Sequence, residues 1–189
     1  GQLLSTVRCG SCGTYSRTFD TFTTVSLELP VGSTCSLMNC FELHMAKEPM
    51  EGDAQWKCPT CRGLRNATKK IDFWKLPSIL VVHLKRFESF GSRGRKIEDM
   101  VDFPVTSTLQ LTNFVHPESN YAEPSANSYE LYAVCNHFGS MGGGHYTAFC
   151  QNDKTKSWYQ YDDDDVRAIN YGAVKTKNAY ILFYKRIAR

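Results

Sequence analysis

The sequence contains no apolar run approaching the length of a bilayer span, and its first residues, Gly1-Gln2-Leu3-Leu4, are not built like a secretory signal peptide. These absences predict an intracellular protein, cytoplasmic or nuclear, with no membrane partner. An excess of one charge sign is also missing. The 22 Lys and Arg face 19 Asp and Glu, a formal net charge of +3. Basic residues are scattered apart from SRGRK (92–96), so a nucleic-acid partner is not expected. There is no internal repeat and no long low-complexity tract. Cysteine is too dilute for a secreted disulfide scaffold, with eight in 189 residues. What remains is ordinary for one well-buried globular domain, 42% hydrophobic and 22% charged.

Periodicity sets the expected elements. Residues 14–29 alternate apolar with Thr, Ser and charged side chains, which predicts a strand broken by Pro30, Val31 and Gly32. Ser33 and Thr34 are candidate caps for a helix over 36–48, where Leu37, Cys40, Phe41 and His44 or Met45 recur at helical spacing. Residues 78–87 (SILVVHLKRF) read as a buried strand. Further strands are expected over 129–137, 145–151, 157–161 and 179–185, with the main loop at 116–128. The fold class is α+β, mostly antiparallel strands with few helices.

Four cysteines form two pairs, Cys9-x-x-Cys12 and Cys58-x-x-Cys61, in the turn-rich contexts CGSCG and CPTCRG. A CxxC turn lets two thiolates converge on one metal ion, and glycine relieves positive φ there. Far more chain separates Cys12 from Cys58 than the about 15–20 residues of a compact zinc ribbon. The two knuckles are therefore expected at the tips of long β arms that meet in space, holding a closed, structural Zn²⁺. Redox pairs or buried thiols are the alternative. Cys40, Cys135 and Cys150 fall in apolar periodic segments and read as small hydrophobes.

In GSMGGGHYTAFCQ (139–151), glycines precede His145 at the mouth of a strand. A histidine base needs a third group to fix its tautomer. Asp162 opens the acidic run of YDDDDV (161–166) at the end of the next predicted strand. If those strands pair antiparallel, the start of the first lies beside the end of the second, so Asp162 or Asp163 becomes a neighbour of His145. The plainer readings are a packed histidine and a solvated acidic turn.

The series CGSC, CPTC, LVVHLKRF (80–87), VDFP (101–104), NHFGSMGGGHYTAFC (136–150), WYQYDDDDV (158–166) and AYILFY (179–184) resembles, in that order, the ubiquitin-specific protease catalytic domain. The resemblance implies a papain-like cysteine protease fold, with zinc-binding fingers over about residues 9–70 and a palm over about 71–189. It implies thiol-dependent hydrolysis at the C-terminal glycine of ubiquitin, with ubiquitin and ubiquitinated proteins as partners. In it His145 is the base, Asp162 orients it, and Asp163 assists the oxyanion or the histidine. Gly142, Gly143 and Gly144 suit a narrow cleft for the Gly-Gly tail, with Tyr146 and Phe87 against it. Cys9, Cys12, Cys58 and Cys61 are the implied zinc ligands. The cleft is bordered by residues 88–99 and 137–144.

The family's nucleophile sits in an N-terminal Gly-Asn-Thr-Cys-aromatic-Met-Asn box, on a thumb segment that precedes the first knuckle and is expected to be a partner of this chain. GSTCSLMNC (32–40) looks like that box, but it lies between the two CxxC pairs. Cys35 is therefore not expected to be the nucleophile, and this chain alone is expected to be inactive. A fragment, an enzyme of two polypeptides and a catalytically dead form all fit this sequence. Rival functions are a non-catalytic ubiquitin-binding module, a protease for another ubiquitin-like protein, and a zinc-dependent nucleic-acid binder, against which the near-neutral charge speaks.

Overall fold

The computed structural model describes residues 1–30, 35–90, 93–120 and 127–187. In chain order the strands begin with β1 (Gln2–Cys9), β2 (Tyr15–Thr21), β3 (Thr24–Glu28), β4 (Cys35–Ser36), β5 (Glu48–Met50), β6 (Trp56–Cys58) and β7 (Gly63–Arg65). They continue with β8 (Ala67–Lys75), β9 (Ile79–Lys85), β10 (Phe87–Phe90), β11 (Arg93–Lys96), β12 (Val101–Asp102) and β13 (Leu109–Gln110). The last five are β14 (Ser128–Ser140), β15 (Gly143–Gln151), β16 (Trp158–Asp162), β17 (Asp165–Ile169) and β18 (Ala179–Arg186). Among the described residues there is a single α-helix, α1 (Leu37–His44). The fold is α+β and mostly antiparallel, as the periodicity predicts.

The main body is an eight-stranded sheet in the order β17-β16-β15-β14-β18-β9-β3, with β13 beside β14. Every pair in it is antiparallel except β3 with β9. Its inner face is written by alternation. Leu80, Val82 and Leu84 of β9 are fully buried, while the residues between them are not. They join Leu27, Leu182 and Tyr184 in one core, which Phe41 of α1 also enters. A second, four-stranded sheet, β2-β1-β8-β5, forms an arm. Phe73 of β8 links the two, with its ring 6.1 Å from Phe41 and 5.7 Å from Phe22.

Several expectations need correction. The strand predicted over 14–29 is two strands in different sheets: β2 edges the arm, and β3 enters the main sheet. The alternation is continuous, but Phe22 between them turns onto Phe73 and the chain changes layer there. The helix is shorter than 36–48 and is capped by Ser36, which accepts from Asn39 N–H (3.1 Å) while Asn39 Oδ1 accepts from Ser36 N–H (3.1 Å). Ser33 and Thr34 lie outside the described residues. The helix stops at His44, whose Nδ1 contacts Glu28 Oε2 at 3.0 Å while Met45 turns into the core. Of the predicted loop over 116–128, residues 121–126 lie outside the described residues.

Both cleft-bordering segments are hairpins rather than open loops. Ser140 pairs with Gly143 across a two-residue turn, and Phe87–Phe90 pairs with Arg93–Lys96. The acidic run is a hairpin too. Asp162 pairs with Asp165, and Asp163 in the turn takes a left-handed backbone (φ 51°), which aspartate tolerates better than most residues. Arg86 ties the segment after β11 to the start of β18 from inside. It is fully buried and donates from Nε to the Ala179 carbonyl (2.7 Å), and from Nη1 to those of Ile97 (3.0 Å) and Asp99 (2.9 Å).

Candidate active site and metal centre

β15 and β16 run antiparallel with Ala148 opposite Tyr161, so the start of β15 lies beside the end of β16. His145 and Asp162 meet there, Nε2 to Oδ1 at 2.5 Å. The carboxylate is the acceptor, so Nε2 carries the proton and Nδ1 of the neutral ring keeps its lone pair free. The hydrogen bond that His145 donates to Asp162, with the charges of Asp162 and Asp163 added, raises the His145 pKa above its ordinary value. The ring is open to solvent, with 47% of its side-chain surface exposed. Asp163 contributes charge rather than a hydrogen bond. Its carboxylate, that of Asp162 and the His145 ring offer ligand atoms within 4.8 Å of one another, close enough to share a divalent cation.

Beside this pair is a cleft of about 350 Å³ lined by Phe87, Gly143, Gly144 and Tyr146, together with His137, Ser140 and Met141. Four of the five expected cleft residues are therefore together. Gly142 is not among them; it sits at the hairpin tip, where a Cβ would meet nothing within 4 Å. Gly144 is different, since a Cβ there would collide with the Phe138 carbonyl oxygen and His137 Nε2. His137, which opens the segment expected to border the cleft but is not singled out there as a site residue, is 4% exposed and packs 4.7 Å from the Tyr146 ring, 5.3 Å from Phe87 and 5.7 Å from Tyr180. Burial, and then the Lys96 charge, lower its pKa, so the buried ring is neutral at pH 7. Lys96 Nζ also donates to the His137 carbonyl (2.5 Å), and Gly94 leaves room for Met141. These contacts hold the two hairpins together. The register of His137 opposite Tyr146 is the signal that marks it as a cleft residue.

The two knuckles meet at the end of the arm. β1 pairs with β8 so that Cys9 lies opposite Ala67, and β6–β7 closes the second turn. The sulfurs of Cys9, Cys12, Cys58 and Cys61 all lie within 4.8 Å of one another, with Cys12 and Cys58 3.6 Å apart. A tetrahedral Zn²⁺ with Zn–S about 2.3 Å needs S–S edges of about 3.8 Å, so this donor set fits the ion. Thr14, by its hydroxyl and its N–H, holds the Cys12 thiol down to about 6, and the hydrogen bond with Cys12 leads the effects that push Cys61 up to about 12. Four thiols packed this closely need a shared cation to ionise together. The Cys61 N–H points at Cys58 Sγ (3.4 Å). Gly13 supplies the positive φ of the first knuckle (72°), but in the second it is Arg62 (53°), not the glycine beyond it.

Cys35 is 5% exposed, and its sulfur faces Cys40 Sγ at 3.7 Å, while His145 is open to solvent. Burial pushes the Cys40 thiol up to about 12. Among the described residues, no helix is long and apolar enough to cross a membrane.

A family model described as "Ubiquitin carboxyl-terminal hydrolase" matches residues 1–184. Ubiquitin carboxyl-terminal hydrolase 31 of Homo sapiens is 41% identical over 171 residues, covering 81% of this chain and 13% of that protein. Ubiquitin carboxyl-terminal hydrolase Usp2 of Drosophila melanogaster is 38% identical over 192 residues, 98% of this chain and 19% of that one. This chain thus spans less than a fifth of these curated relatives. Among solved structures, a chain of the SAGA Ubp8/Sgf11/Sus1/Sgf73 DUB module bound to ubiquitin aldehyde superposes with a TM-score of 0.85 at 30% identity, over 100% of this chain and 41% of that one. A chain of a yeast SAGA DUB module gives 0.84 at 30% identity, with the same coverage.

Proposed function

Because the chain belongs to the ubiquitin carboxyl-terminal hydrolase family, in its ubiquitin-specific protease branch, we propose that it supplies the base and the substrate cleft of a deubiquitinase. The observation that carries this reading is the His145–Asp162 pair at the start of β15, beside the cleft. The nucleophilic cysteine comes from a thumb segment docked against this chain. His145 Nδ1 takes the thiol proton, the thiolate attacks the carbonyl carbon of the terminal glycine of ubiquitin, and His145 returns the proton to the departing lysine amine. Asp162 holds the ring in the Nε2–H tautomer and stabilises its protonated form, and Asp163 lies where it adds to that field.

The division of labour runs along the chain. About residues 9–70, which include most of the arm, act as fingers that grip ubiquitin. About 71–189, which form most of the main sheet, act as the palm, with β3 and α1 packed into that body from the finger segment. Gly143, Gly144, Tyr146 and Phe87 receive the Gly-Gly tail, because the lack of a side chain at Gly144 keeps the passage narrow and open. Zn²⁺ bound by Cys9, Cys12, Cys58 and Cys61 would be coordinatively closed, and it supplies architecture rather than a reactive water. The SAGA module bound to ubiquitin aldehyde named above supports ubiquitin as partner.

The test is ubiquitin carrying a thiol-reactive C-terminal electrophile, read by intact mass. Alone, the chain is expected to form no adduct. With a family thumb segment added, an adduct on the thumb cysteine is expected, and it should vanish in the His145→Ala variant. An adduct on Cys35 would overturn this reading.

A further inference from the structure

One face of the arm gathers hydrogen-bond donors around a separate pocket. In the β1–β8 register Thr6 lies opposite Lys70 and Arg8 opposite Thr68, so these four side chains share a face. Together with Lys47 and His116 they line a pocket of about 230 Å³. Nearly every polar group there is a donor. Arg8 and Lys47 are exposed and have no carboxylate partner among the described residues. The Thr6 hydroxyl is buried and unpartnered. His116 Nδ1 accepts from Glu118 N–H (3.2 Å), which places the ring proton on Nε2. The single carboxylate in the lining among the described residues, Asp72, is 4% exposed and already bonded to Lys70 Nζ (2.5 Å). The neighbouring Arg17 is spent on Glu118 at 2.6 and 2.8 Å.

A pocket of donors whose one acceptor is occupied selects an oxyanion. We infer that this pocket binds an anionic side chain, a carboxylate or a phosphate monoester, of a partner polypeptide, at a site separate from the cleft beside His145. The cations converge on one pocket rather than tracking along the arm, which suits a single anionic group and not a phosphodiester backbone. Tyr15 (58% exposed) and Phe19 (44%) lie on the same face and offer the flat apolar contact that flanks such groups in protein interfaces.

The experiment is a titration of the protein at low ionic strength with inorganic phosphate and, separately, with a tetraglutamate peptide. It follows the His116 ring and the Arg8, Thr68 and Lys70 amides by NMR. Saturable shifts confined to these residues are expected with at least one probe. Arg8→Glu with Lys47→Glu should weaken binding about tenfold or more, while Arg8→Lys with Lys47→Arg keeps most of it. Phosphate without tetraglutamate assigns a phosphorylated partner, and tetraglutamate assigns an acidic one. Shifts spread over all basic surface residues, matched by chloride or unchanged in the Glu variant whose spectrum shows it folded, would overturn the site.

Discussion

Asp162 sets both the tautomer and the proton affinity of His145, and the two effects are separable by substitution. With the pKa raised in the folded protein, the pair's stabilisation is fully present below the unfolded-state pKa of histidine and is lost as pH rises through the folded value. The Asp162→Asn variant should therefore move the His145 NMR titration midpoint down, toward that of an unpaired imidazole. An unchanged midpoint would mean that the 2.5 Å contact does not persist in solution. The glycines give a second test at this scale. Gly144→Ala drives a Cβ into the Phe138 carbonyl and should cost about 1–3 kcal/mol in urea unfolding. Gly142→Ala meets open space and should stay within about 0.5 kcal/mol of the wild type. Equal costs would refute this difference between the two glycines.

Among the elements, the arm is the one that cannot stand on its own packing. β2 buries none of its residues, and only Leu4 and Cys9 of β1 are buried. Its far end depends on the four cysteines, whose Zn²⁺ would contribute directly to local folding. Chelation, or Cys58→Ser, should speed amide hydrogen exchange in β1 and β8 near Cys9 and Ala67, while β9, β14 and β18 stay protected. Uniform protection after either treatment would rule out that dependence. The same contrast decides what was legible in the sequence. β9, β15 and β18 bury alternate residues, and β14 and β16 are rich in apolar and aromatic side chains, so their pattern revealed them. β1 and β8 were missed because QLLSTVRC and ATKKIDFWK carry polar residues on both faces. β17 was missed because its hairpin turn is written in aspartates. Antiparallel neighbours made the approach of Asp162 to His145 readable. Only the pairing register, invisible in the linear chain, puts His137 behind Tyr146.

At the level of the whole molecule, the cleft is assembled from β10, β14 and β15, with Lys96 of β11 holding the hairpins together, so a ligand there reports on the complete fold. Ubiquitin that binds only the folded state should raise Tm with concentration, as mass action requires. Ubiquitin lacking its last two glycines should give a smaller shift, and an equal shift would place the contact outside the cleft. The position of β18 has another consequence. It follows every other strand in sequence, yet it lies between β9 and β14 in the middle of the main sheet. During synthesis the facing edges of β9 and β14 are both made before the strand that joins them. Until residue 186 clears the ribosome those edges are open to pairing with other chains, which makes that interval of translation the one most exposed to misassembly.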